Sequence, residues 1–144
     1  MKRNNISNDM MLLIMSFVFT FSVGSLAMGF FPAVKIGEME EVMYGLDCMT
    51  KISTPITLLL IFTYLLPIVS FIFAFLAAKR KHHKIMFFVS SALSFLSAIL
   101  IILEPVFIGL VITDEITYAF GPIIGFLFAV VQTIITLMTG IIRN

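Results

Sequence analysis

The sequence predicts an all-α integral membrane protein, a bundle of four transmembrane helices with a short extracellular β-hairpin between helices 1 and 2. Three observations carry this. Hydrophobic residues make up 60% of the 144 and charged residues only 12%, whereas a soluble domain is roughly a quarter charged. So short a chain has no core that absorbs this much apolar surface, and lipid is the solvent it fits. Four apolar runs each approach or exceed the roughly 20 residues that a spanning helix needs. The cationic residues sit in the short segments between those runs, and they are unequally divided between the two sides.

Helix 1 covers residues 10–31, after a start that carries Lys2 and Arg3. A signal peptide is the rival reading, with Ser25-Leu26-Ala27 as its cleavage site. The apolar run overshoots it through Phe31, which favours a span. Helix 2 covers residues 55–78. Thr54 suits the N-cap and Pro55 the first helical position. Pro67 lies mid-span, kinks the helix and frees the Thr63 carbonyl, which must find a partner inside protein or water. A basic cytoplasmic turn, residues 79–84, follows. Helix 3 covers residues 85–103 and is expected to break at Glu104-Pro105, because a residue before proline is pushed away from helical angles. Residues 106–112 fit either a kinked continuation or a short strand. Helix 4 covers residues 122–142, started by Gly121-Pro122. The whole chain, 1–144, reads as one membrane domain.

Orientation follows from the cations. With the N-terminus in the cytoplasm, Lys2, Arg3, Lys79, Arg80, Lys81, Lys84 and Arg143 lie inside, and Lys35 and Lys51 outside. Seven against two is a positive-inside pattern. The predicted location is the plasma membrane, multi-pass, with both termini cytoplasmic.

Small residues at spacing four mark the packing seams, since close approach and interhelical hydrogen bonds hold helices together in lipid. Gly24 ends the stripe of helix 1 and Ser94 centres that of helix 3. Helix 4 has the longest stripe, Gly121, Gly125, Ala129 and Thr133, with Gln132 as the strongly polar side chain inside a span. That stripe fits a seam within the bundle, or a face turned to another protein. Gln132 reads as a hydrogen-bond tie between helices. The phenylalanines read as lipid-facing bulk, and Tyr44 and Tyr118 as interfacial anchors.

Chemistry is sparse. No acid, base or cation is expected deep in a span, where proton relays and ion-coupled transporters place them. Glu104 is expected at headgroup level beside the helix break. Cys48 is the single cysteine, which excludes an internal disulfide and a CxxC pair. His82 and His83 are adjacent and point apart, so no metal site is expected. No cofactor, no nucleic-acid partner and no enzymatic activity are predicted. Cys48 with Glu41 or Asp47 is the nearest approach to a catalytic set. Lys79, Arg80, Lys81 and Lys84 suit lipid headgroups.

The outer loop, residues 32–54, is the longest stretch that a bilayer would reject. Weak alternation over residues 33–36 and 41–44 predicts its hairpin. Glu38, Glu40, Glu41, Tyr44, Asp47 and Cys48 are its interaction candidates. Phe30-Phe31-Pro32, then a strand pair, then Tyr44-Gly45-Leu46-Asp47-Cys48 before the second span, resembles the layout of claudin-like four-span membrane proteins. It is also similar to small bacterial four-span proteins whose first loop has a proline-containing strand, a turn and a Gly-x-Asp segment. Gly45, Leu46 and Cys48 match part of the claudin motif. Asp47 replaces its tryptophan, and the second cysteine is missing. The resemblance implies a sheet-bearing outer surface, with residues 106–112 as a candidate extra strand.

The functional expectation is a non-enzymatic membrane protein acting through protein contact, as an accessory subunit, inhibitor or adhesion-type protein. Its partners would be membrane lipid and another protein or further copies of itself. The alternative is an oligomeric pore or small-solute transporter, lined by the helix 3 serines with Gln132 and Thr133.

Overall fold

A computed structural model describes residues 6–37, 41–45, 54–79, 84–112 and 115–142. Four helices dominate: α1 (Asn8–Ala27), α2 (Thr54–Lys79), α3 (Lys84–Gly109) and α4 (Phe120–Ile142). Each belongs to a segment long and apolar enough to cross a membrane. A single 3-10 turn, Met28–Phe30, ends α1. Three strands follow the chain at the same end of the bundle: β1 (Pro32–Ile36), β2 (Glu41–Tyr44) and β3 (Ile116–Tyr118). They form an antiparallel sheet in the order β2-β1-β3.

The helices form a ring in which α1 touches α2 and α4, and α3 touches the same two. Serine hydroxyls tie neighbours across the seams. Ser70 and Ser90 each donate to the other's carbonyl at 2.8 Å. Ser94 donates to the Ala129 carbonyl at 3.1 Å, Ser91 to that of Thr133 at 3.2 Å, and Ser25 to that of Gly125 at 3.4 Å. Gln132 reaches from α4 to α2, where its amide donates to the Pro67 carbonyl and to Ser70 Oγ, at 3.1 and 3.0 Å. The carbonyl that Pro67 frees, Thr63, accepts from Ser97 at 3.1 Å. The freed carbonyl therefore faces protein, and α3 supplies the donor that proline removes. Replacing Ser70 and Ser90 by alanine singly and together should give a coupling of about 1 kcal/mol, the usual scale for such pairs in membranes. Unfolding in mixed micelles measures it.

At the end of the bundle away from the sheet, Met15 and Val18 of α1, Ala74 and Ala77 of α2 and Phe87 of α3 form one apolar core. A second small core, Ala98, Ile101 and Ala129, joins α3 to α4. The third lies under the sheet, where Ala33 and Val34 of β1 meet Leu60 and Ile108.

Three expectations change. Glu104-Pro105 does not end α3, which runs on to Gly109 with both residues fully buried. Ile101, Glu104, Pro105 and Ile108 all face inward at helical spacing, and packing along that stripe outweighs the local bias against helix before proline. Residues 106–109 are accordingly helical, and the third strand forms later, at Ile116–Tyr118. The hairpin is thus two strands of a three-stranded sheet. In the small-residue stripe of α4, Gly121, Gly125 and Ala129 are buried within the chain and Thr133 is half-buried.

Candidate functional site

The sheet sits where α1 and α3 end and where α2 and α4 begin. Its central strand is pinned from both sides. β1 pairs with β2 through Lys35 opposite Val42 and Ile36 opposite Glu41, with a bulge between Pro32 and Val34. It pairs with β3 through Val34 opposite Tyr118 and Ile36 opposite Ile116. Bonds from Gly37 N to the Glu115 carbonyl, 2.9 Å, and from Ala119 N to the Ala33 carbonyl, 3.2 Å, extend that pairing at both ends. The bulge lets Ala33 and Val34 both turn down into the core, against the strict alternation of a flat strand.

Below, α4 begins directly against the strand. A Cβ on Gly121 would lie 2.6 Å from the Pro32 carbonyl oxygen. Backbone meets backbone there, and only glycine permits it. Above, the sheet presents Glu41, Val42 and Tyr44 of β2, with Thr117 and Tyr118 of β3, all exposed. β2 and β3 are edge strands, and among the described residues neither pairs with a further strand on its outer side. Unpaired strand edges template further pairing unless they are blunted.

Of the outer-loop candidates, Glu41 and Tyr44 lie on exposed β2. Glu38, Glu40, Asp47 and Cys48 lie outside the described residues, as do Arg80, Lys81, His82 and His83. Lys79 is exposed at the far end of the bundle, with its ammonium 4.5 Å from the centre of the Phe75 ring, and Lys84 is exposed there as well. Gly24 packs against the Phe128 ring, and Gly125 against Ile101 and Met28. Thr133 is half-buried and donates to the Ala129 carbonyl of its own helix at 2.8 Å. Among the described residues no three His, Cys, Asp or Glu side chains gather.

One polar group departs from every expectation. Glu104 is 0% exposed. It lies 20 residues along α3 from Lys84, about 30 Å at the usual rise. It points into the protein, against the expectation of a place among headgroups. Tyr64 of α2, itself 3% exposed, donates its hydroxyl to Glu104 Oε2 at 2.6 Å. The other carboxyl oxygen, Oε1, is buried with no hydrogen-bond donor among the described residues. Gly29 and Gly45 fence the tyrosine. A Cβ on Gly29 would lie 3.1 Å from the ring, and one on Gly45 would collide with the hydroxyl. Gly45 directly follows β2, so the buried pair touches the end of the sheet.

A signal for this pair was present in the sequence. Ser90, Ser97 and Glu104 recur at intervals of seven, which places Glu104 on the serine seam. The proline after it is a competing signal, for a break.

No family model matches the chain, no curated protein matches its sequence and no solved structure matches its fold.

Proposed function

We propose that this is a non-enzymatic, multi-pass protein of the plasma membrane, with both termini cytoplasmic, that acts by docking another membrane protein on its outer sheet. An accessory subunit, an inhibitor and an adhesion-type protein all work in this way. The observation that carries the reading is the sheet itself. It is braced on the bundle by Ala33, Val34, Leu60 and Ile108, and it presents two edge strands with exposed Val42, Tyr44 and Tyr118. Adding a strand to such an edge is a common mode of recognition, in which backbone bonds give affinity and side chains give choice. Tyrosines at the edge suit an interface centre. The division of lysines and arginines supports placing this end outside, and the claudin-like layout of Phe30–Cys48 agrees with a sheet-bearing outer surface.

The alternative, an oligomeric pore or transporter, draws less support. The hydroxyls that would line it donate to carbonyls within one chain: Ser94 to Ala129, Ser91 to Thr133 and Ser97 to Thr63.

The test is co-purification from mild detergent, comparing the native chain with Val42→Lys and Tyr118→Lys. Both positions are exposed, so the variants should fold, and lysine blunts an edge strand. A partner that accompanies the native protein and is lost from both variants supports the reading. A native protein that runs alone, or variants that keep the same company, sinks it.

A further inference from the structure

We propose that Tyr64 and Glu104 form a proton-binding site inside the bundle, in which Glu104 takes up and releases a proton while Tyr64 holds its second carboxyl oxygen. This is independent of what docks on the sheet. An ionisable side chain within a candidate span is expensive to keep and marks function by default. Here the expense is visible in the geometry. Glu104 is fully buried, one oxygen has the phenol as donor and the other has none among the described residues. Among the described residues the carboxyl is therefore in no salt bridge.

Its surroundings leave the proton as the fitting ligand. A bound metal cation needs several oxygen ligands, and among the described residues no group of three or more His, Cys, Asp or Glu side chains gathers to hold one. A proton needs one oxygen, and Oε1 is free to take it. The same turn contains Pro105, which has no N–H, so the Ile101 carbonyl loses its ordinary helical donor. An acceptor thus lies one turn away from a group that becomes a donor when protonated.

The charged and titratable groups on the packed elements are few. α2 brings Tyr64 and, at its far end, Lys79, β2 brings Glu41 and Tyr44, and α4 carries none over Phe120–Ile142. β1 brings Lys35. β3 brings Tyr118, whose hydroxyl donates to the Ile102 carbonyl at 3.4 Å. α3 itself adds only Lys84, at its far end. Among the described residues no group of opposite charge bonds to Glu104 to hold it in one state.

Infrared difference spectroscopy of the protein in lipid, between acid and alkaline buffer, reads this directly. The native chain should show a protonated-carboxyl stretch that is lost in alkali. Glu104→Gln should lack that band, and Tyr64→Phe should shift it, because the carboxyl then loses its donor. Native and Glu104→Gln difference spectra that coincide would overturn the proposal. So would a Glu104 band that ignores pH. If Glu104→Gln does not fold, Tyr64→Phe decides, since its carboxyl remains, and an unmoved band overturns the assignment.

Discussion

Gly121→Val is expected to destabilise the protein by about 3 kcal/mol or more, at the upper end of what overpacking costs. Most overpacked sites relax by moving a side chain. This one has no side chain to move. The new Cβ would meet the Pro32 carbonyl oxygen at 2.6 Å, and the Met28 carbonyl oxygen lies 3.4 Å away. Relief requires α4 to back away from β1, which also loosens Ala119 N from the Ala33 carbonyl. The effect should be local to the sheet end of the bundle. Denaturant titration in mixed micelles gives the loss. Hydrogen exchange gives its place, with faster exchange over β1 and β3 and little change near Ser70 and Ser90. A loss under about 1 kcal/mol, the ordinary scale of a tolerated substitution, would mean that the contact is not as close as the structure has it.

Tyr64 should separate packing from hydrogen bonding. Tyr64→Ala removes a buried ring and is expected to cost about 3–5 kcal/mol, the range for deleting a buried aromatic side chain. Tyr64→Phe keeps the ring between Gly29 and Gly45 and removes the donor to Glu104, which should cost about 1–3 kcal/mol, the price of orphaning a buried acceptor. The two are compared by thermal unfolding in one detergent. Equal losses would show that the ring contributes nothing beyond its hydroxyl, contrary to the packing at Gly29 and Gly45.

The helices were legible because their signals are long and redundant. Residues 54 and 55 mark the start of α2 in the sequence, and α2 does begin at Thr54. The partner required by the Thr63 carbonyl could be anticipated as protein or water, though not as Ser97, because helix spacing says which residues share a face and not which helix that face meets. The sheet end of the bundle is less legible for a related reason. Residues 106–112 are apolar and β-branched, and so fit a strand as well as a helix. Burial of Ile108 under β1 made the choice, a contact between residues more than 70 apart. β3 is only three residues long, and Ile-Thr-Tyr carries little pattern of its own. Its pairing with β1 creates it. Glu104 shows the deeper limit. Distance along a helix gives depth, but whether a carboxyl at that depth faces headgroups or a tyrosine depends on how the helices are arranged.

The pairing of β1 with β3 has a topological consequence. β1 leaves the first helix and β3 enters the last. Joining them brings α1 beside α4, although nearly the whole chain runs between those helices. The middle pair, α2 and α3, needs no such device, since only four residues separate the two in sequence and the reciprocal serines hold them together. The sheet is therefore the clasp of the ring: the helical hairpin in the middle closes by sequence proximity, and the two ends of the chain close by strands.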